Sequence, residues 1–343
     1  FSEDYRMMVD WFYNEYLQHL LESLVDPKKR VSFGYLIFAA MIGLAWSAFM
    51  SRNSWRNGFS QGLRKLFGKR VLFSRSARAD YKILLLNHGF LLLITPFILS
   101  KVALTTSLFF LLHEVLPSGS AYFSSIPFWT VSVIYTLFLF VLDDFSRYIV
   151  HAALHRIPFL WAFHKIHHSA ETLSPFTVYR THPIEAVIFT FRGIIVQSSC
   201  IALFVFIFGE KVDLVTIYGV NVLLFIFNLS GSNLRHSHIP ISYGRALERI
   251  FVSPAQHQIH HSIKRCHHDK NFGAALAVWD YLFGSLHLSE KNMHLTFGIK
   301  NRSKMRSHNL ATLYIHPFVE AFREIKVLFR KHEEIKKDII NVT

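Results

Sequence analysis

Two histidine triplets with the same spacing occur in this chain, and histidine is the side chain whose neutral ring most often binds a metal ion. The first copy, HKIHHS, begins at His164, and the second, HQIHHS, begins at His257. A third group, HAALH, begins at His151. Residues three and four apart share one face of a helix, so each group directs two or three imidazoles the same way. The spacing therefore predicts metal binding.

The three groups contain more imidazoles than one small metal site uses. They supply eight candidate ligands: His151, His155, His164, His167, His168, His257, His260 and His261. A tetrahedral zinc site takes four, so the number indicates a pair of metals. A core role without metal is the weaker interpretation, because each buried imidazole would need a hydrogen-bond partner. Imidazole suits iron, copper, nickel and zinc, so the ligand type alone does not choose the metal.

Other cofactor chemistry and nucleic-acid binding are disfavoured. Two cysteines, Cys200 and Cys266, cannot build a thiolate metal site or a disulfide framework. The formal charge of +14 could indicate nucleic acid, but the basic residues flank apolar runs, which favours a phospholipid surface. Flavin, nicotinamide and haem motifs are not found in the sequence, so a redox enzyme of this kind would need an external electron donor.

Long apolar runs predict an all-α integral membrane protein with about four or five transmembrane helices, since a spanning helix needs about 20 apolar residues. The chain of 343 residues is 51% hydrophobic and contains 34 Phe. The predicted spans are residues 31–50, 83–116 and 128–142, followed by a hairpin of 184–209 and 212–228.

The topology of these runs places the three histidine groups on one side of the membrane. The loop 51–82 carries eight basic residues between Arg52 and Arg78 and is therefore expected to be cytoplasmic. Counting crossings from there returns the chain to the cytoplasm at His151 and again near His236. The sequence thus predicts a cytoplasmic helical cap that holds a histidine-rich dimetal site.

The domain organisation is expected to be simple. Residues 1–30 are interpreted as an amphipathic helix that lies on the bilayer surface or packs on the protein. Residues 31–343 form a single membrane domain, with the histidine core at 143–288 and a basic tail at 300–343 that serves surface anchoring. Asp144, two helical turns before His151, is a candidate partner for a ligand N–H. Asp280 is expected to close the fold.

The ordered groups HAALH, HKIHHS and HQIHHS, with Asn271-Phe272-Gly273 and the WDYLFG segment from Trp279, resemble the fatty acid hydroxylase/sterol desaturase superfamily of membrane di-iron oxygenases. The NLRHSH segment from Asn233 and the SPAQ segment from Ser253 are similar to bacterial sterol desaturase family proteins and, more distantly, to alkylglycerol monooxygenases. The resemblance covers residues 143–288.

This resemblance implies an O2-dependent hydroxylase or desaturase of a lipid such as a sterol, a fatty acyl chain or an ether lipid. It implies two iron ions held by about nine or ten ligands, with zinc possible in purified protein. His236 fits the further ligand position, with His238 as the alternative, and His182 and Asn233 are also candidates. The implied electron donor is a cytochrome b5-like protein or a ferredoxin with its reductase. A zinc-dependent membrane hydrolase and a non-catalytic metal-binding membrane protein are the alternatives.

Overall fold

The computed structural model describes residues 2–117, 123, 125–290, 293–299, 305 and 308–342, and this part of the chain is predominantly helical. The α-helices up to residue 208 are α1 Ser2–Trp11, α2 Gln18–Val25, α3 Phe33–Phe49, α4 Trp55–Phe67, α5 Lys69–Leu72, α6 Arg75–Ile94, α7 Lys101–Val115, α8 Phe128–Arg156, α9 Pro158–His168 and α10 Pro183–Phe208. The C-terminal part contains β1 Thr216–Ile217, β2 Val220–Asn221, α11 Val222–Leu229, α12 Gly244–Leu247, α13 Pro254–His260, α14 Val278–Leu282 and α15 Leu310–Val342.

Three helical stretches of the described chain are long and apolar enough to cross a membrane: Arg75–Val115, Phe128–Arg156 and Pro183–Lys211. The protein is therefore an integral membrane protein with an all-α fold. The first stretch is interrupted by the 3₁₀ turn Thr95–Phe97 between α6 and α7. Pro96 lies in this turn, and a proline cannot donate the backbone hydrogen bond that would continue the helix. α10 packs between α7 and α8.

Two of the predicted spans are shorter than expected. α3 has 17 residues, fewer than the roughly 20 that a crossing needs. The predicted second arm of the hairpin, 212–228, is wrong as a continuous helix, because Tyr218 and Gly219 adopt φ values of 50° and 73° and close a two-stranded turn. α11 begins only after this turn and has 8 residues. The described chain thus contains three spanning candidates where four or five were expected.

Both terminal segments contain helices in the described part of the chain. The Tyr16 hydroxyl, in the π-helical segment Phe12–Leu17, donates to the carbonyl of Leu85 at 2.9 Å, so this part of the predicted 1–30 helix packs on α6. In the predicted tail, α15 packs on α9 and carries a stripe of exposed apolar residues that includes Ile315, Phe318 and Phe322. Residues 300–304 and 306–307 of that tail lie outside the described part.

A buried arginine ties α9 to α6. Arg180 has no exposed surface, and its Nη1 donates to the carboxylate of Asp80 at 2.8 Å. Its Nε donates to the carbonyl of Ile166 at 3.0 Å, and its Nη2 donates to the hydroxyl of Ser169 at 2.8 Å. Arg180 therefore satisfies the carbonyl end of α9, the helix that carries the first HxxHHS copy, and fixes it against α6.

A buried carboxylate fastens the start of α13, the helix of the second copy. Glu248 has no exposed surface and accepts hydrogen bonds from the hydroxyls of Ser242, Ser253 and Ser289 at 2.8, 2.8 and 2.6 Å. Ser253 is also the N-cap of α13 and forms a reciprocal capping box with Gln256. Such a box satisfies two backbone N–H groups at the helix start. These contacts hold a helix of seven residues in place.

Candidate metal centre

Nine buried or partly buried histidines meet where α8, α9, α13 and the 3₁₀ segment Ser232–His236 converge. Group A comprises His151, His155, His164, His168 and His260, and group B comprises His167, His236, His257 and His261. Within each group, one ring nitrogen per residue lies within 4.8 Å of the others. All nine residues that the sequence nominated as ligands are thus brought together, including His236.

Three rings of group A are oriented by oxygen atoms that accept a hydrogen bond from the ring. The Nδ1 atoms of His151, His164 and His260 lie 2.8, 3.0 and 2.8 Å from oxygen atoms. Those oxygens are the carbonyl of Phe272, a carboxylate oxygen of Glu185 and the carbonyl of Lys270. Since each Nδ1 must carry the hydrogen, each Nε2 keeps a lone pair directed into the group.

The loop that supplies the two carbonyl acceptors has an unusual backbone. Asp269 and Asn271 adopt φ values of 56° and 57°, a left-handed conformation in which Asp and Asn are enriched among non-glycine residues. The Asn271 side chain donates to the carbonyl of Gln256 at 3.0 Å and so joins this loop to α13. The Asn-Phe-Gly motif therefore holds backbone oxygens in position for the histidine rings.

In group B, three Nε2 atoms form a triangle that hydrogen bonds cannot satisfy. The Nε2 atom of His236 lies 3.0 Å from that of His257 and 3.2 Å from that of His261, and the third side is 3.2 Å. A neutral imidazole carries only one N–H. Metal–imidazole bonds of about 2.0–2.1 Å, the zinc value, give nitrogen separations of about 2.9–3.4 Å for octahedral to tetrahedral angles. The triangle fits nitrogens arranged around one ion.

Unpaired nitrogens give the same result in group A. The Nε2 atoms of His155, His164, His168 and His260 are buried and have no hydrogen-bond partner. Most buried polar atoms in proteins do have one, so four unpaired nitrogens in one group need an explanation. A metal ion supplies it, because it accepts the lone pairs of neutral rings. The donor set of group A therefore fits a metal as well.

The two groups adjoin. His167 and His168 are consecutive residues that belong to different groups, and the ring centroids of His168 and His261 lie 4.6 Å apart across the boundary. The histidines are thus arranged for two neighbouring ions.

Burial keeps the rings of the cap neutral. It lowers the pKa of His164 to about 3, and burial together with the nearby His164 lowers the pKa of His167 to about 3. Burial also lowers the pKa values of His168, His236, His257, His260 and His261. A neutral imidazole is the form that binds a metal, so these rings are available as ligands at neutral pH.

The other nominated residues have different partners and lie in neither group. The Nδ1 atom of His182 accepts from the backbone N–H of Ile184 at 3.1 Å, and this histidine caps α10. The ring of His238 packs against Phe297. The Asn233 amide donates to the carbonyl of Arg30 at 2.8 Å.

The candidate role of Asp144 is wrong, and Glu185 was missed. Asp144 accepts from the backbone N–H groups of Ala275 and Leu276 and from the indole of Trp279, so both oxygens of its carboxylate have partners other than the rings. Glu185 makes the ligand contact instead. It lies in the first turn of α10 and 21 residues from His164, a distance at which helical spacing gives no indication of contact.

The fold-closing role of Asp280 is confirmed. This buried carboxylate accepts from the backbone N–H groups of Phe272 and Gly273, both at 2.8 Å. It therefore fixes the backbone of the Asn-Phe-Gly loop.

Comparisons with known proteins agree with this site. Residues 136–285 match the family model of fatty acid hydroxylases. Human alkylglycerol monooxygenase is 29% identical over 195 residues, which cover 57% of this chain and 36% of the relative. An ornithine lipid hydroxylase from Rhizobium tropici is 27% identical over 47% of this chain and 44% of the relative. A fatty acid hydroxylase from Lecanicillium is 27% identical over 48% of this chain and 45% of the relative.

The aligned part of this chain spans less than half the length of each of these relatives. No solved structure is significantly similar to it. The matched residues nevertheless contain all nine clustered histidines and the loop that orients them. The histidine-bearing core of this chain, residues 136–285, is thus similar in sequence to the fatty acid hydroxylases.

Proposed function

We propose that this protein is a membrane-bound, non-haem di-iron oxygenase. It hydroxylates, or desaturates, a C–H bond of a lipid such as a sterol, a fatty acyl chain or an ether lipid, and it uses O2 and electrons from an external donor. The observation that carries the proposal is the pair of adjoining histidine groups, in each of which one ring nitrogen per residue lies within 4.8 Å of the others. When bound, iron supplies the one-electron and O2 chemistry that side chains lack.

The chain's own residues have three tasks in this mechanism. The nine histidines hold the metals, five for one ion and four for the other. Glu185 and the carbonyls of Phe272 and Lys270 hold ring nitrogens in the ligating tautomer. Burial of the rings keeps bulk water away from the reacting carbon. The exposed apolar faces of the spans give a lipid lateral access from the bilayer.

The metal centre is proposed to lie on the cytoplasmic side, as the basic loop 51–82 indicates. A cytochrome b5-like protein or a ferredoxin would deliver electrons there. The basic residues of that loop are suited to an acidic donor.

Activity is expected to require the histidines of groups A and B but not the histidines outside these groups. The full chain, reconstituted with iron and a reducing system, should consume O2 and add one oxygen to, or remove two hydrogens from, a member of a lipid panel. His155→Ala should abolish turnover, whereas His238→Ala, outside both groups, should retain it. Mass spectrometry of the lipid products measures this outcome. Hydrolysis of the lipid by zinc-loaded protein would instead support the hydrolase alternative.

Glu185→Gln is expected to weaken metal binding by about 10–100-fold, because the neutral amide no longer polarises the His164 N–H. Competition with a chelator of known affinity measures the change. Glu210→Gln, an exposed position beyond the far end of α10, is the matched control and should leave affinity unchanged. Equal affinity in both variants would show that Glu185 has no such role.

A further inference from the structure

Two arginines next to group B donate to the same oxygen atom. The Nη2 of Arg30 lies 3.0 Å from the carbonyl oxygen of Ser232, and the Nε of Arg235 lies 3.1 Å from it. Two guanidiniums are therefore held on either side of one backbone carbonyl. Like charges this close repel each other, and the repulsion is strongest away from bulk water.

No described carboxylate neutralises this pair. Neither arginine forms an ion pair within the described residues, and Arg235 is only 2% exposed. The Nη2 of Arg235 is buried and has no hydrogen-bond partner, while its guanidinium carbon lies 5.2 Å from the ring centroid of Phe227. A buried charge that is neither paired nor fully hydrogen-bonded is costly. The site therefore lacks a negative group.

Neither carboxylate of α8, Asp143 or Asp144, forms an ion pair with Arg30 or Arg235. On α8, Asp143 already pairs with Arg147 at 2.7 Å and with Arg192 at 2.8 Å. Asp144 is occupied by two backbone N–H groups and an indole. Asp143 is thus already paired with two arginines, and no ion pair in the described part of the chain offsets the charges of Arg30 and Arg235.

The pair also lies beside the metal centre. Arg235 directly precedes His236 of group B in the 3₁₀ segment Ser232–His236. After burial and the neighbouring His167, the charges of Arg30 and Arg235 also lower the pKa of His236. Phe227 of α11, whose ring centroid lies 5.2 Å from the guanidinium carbon of Arg235, places apolar surface beside the pair. The two guanidiniums thus lie next to apolar side-chain surface.

We propose that Arg30 and Arg235 bind the anionic group, a carboxylate or a phosphate ester, of an amphiphilic lipid. The planar guanidinium presents its N–H groups as a fork that matches both anions, and the unpaired Nη2 of Arg235 is the donor left for it. The identification of this lipid as the substrate rests on the proposed function. The binding of an anion by these arginines is independent of the proposed function.

Binding to the purified full chain in non-ionic detergent tests the site. The probes are dodecanoate, dodecyl phosphate, inorganic phosphate and, as the neutral comparison, dodecanol. Arg30→Gln and Arg235→Gln are each expected to raise the Kd of the anionic amphiphiles at least about tenfold, the effect of losing one charge-assisted hydrogen bond. Arg249→Gln, at an exposed position, is the matched control and should leave the Kd unchanged.

Comparison of the four probes distinguishes a lipid headgroup from a free anion. Tight binding of the amphiphiles alone assigns the site to a lipid headgroup, and equally tight binding of inorganic phosphate assigns it to a free anion. Dodecanol that binds as tightly as dodecyl phosphate, or a Kd that neither variant changes, would overturn the proposal. If Arg235→Gln does not fold, Arg30→Gln and Arg235→Lys carry the test. Metal content of the same samples reports separately on the proposed function.

Discussion

Purified under iron-replete, chelator-free conditions, the full chain is expected to hold two metal ions, and a His167→Ala, His260→Ala double variant is expected to lose both. One histidine is taken from each group, so each ion loses a ligand. The oxygen-dependent turnover of the variant should fall to background. Metal analysis per chain, with activity measured on the same sample, gives the result.

The matched control for this experiment is a His182→Ala, His238→Ala double variant. It also removes two imidazoles, but from positions outside both groups, and it should keep two ions. One ion or none in well-folded parent protein would contradict the paired site. Zinc in the place of iron would support the site, and anaerobic reconstitution with iron would then be the measurement of redox activity.

Arg180→Met is expected to lower the free energy of unfolding by about 3–5 kcal/mol, because removing one partner of a buried ion pair leaves an uncompensated charge. That charge is Asp80, which has no exposed surface. The same substitution removes the donors to Ile166 and Ser169 at the end of α9. Because His164, His167 and His168 lie on this turn, metal content should fall together with stability.

Denaturant unfolding followed by circular dichroism measures this change, with metal analysis on the same sample. Arg78→Met is the matched control, since Arg78 lies on α6 two residues before Asp80 and is exposed. It should change the stability by no more than about 0.5 kcal/mol. If Arg180→Met were equally mild, Arg180 would not determine the position of α9.

The sequence predicted the clustering of the histidines better than it predicted the spans. Histidines such as His164 and His168 repeat at helical spacing, which is a local property of the chain. Placing His236 depended on a family resemblance, because its 3₁₀ segment has no repeat. The contact between His164 and Glu185 joins different helices, so no spacing rule could reveal it.

The failure at 212–228 has a different cause. Its apolar composition is that of a span, but Tyr218 and Gly219 adopt left-handed conformations and close a turn. Hydropathy averages over a window of residues, whereas a turn is decided by the conformation of one or two. Composition thus predicted that this segment is apolar, but it did not predict the turn within it.

The positions of the nine histidines along the chain affect how the newly made protein folds and how long it lasts in the cell. The nine histidines come from four segments that extend over the chain from His151 to His261. Two bound ions would therefore act as cross-links, each closing long loops and reducing the freedom of the unfolded chain. α13 has seven residues, too few to be stable as an isolated helix. We expect the spans to insert first and the cap to close on metallation, so that iron supply sets the lifetime of newly made protein as well as its activity.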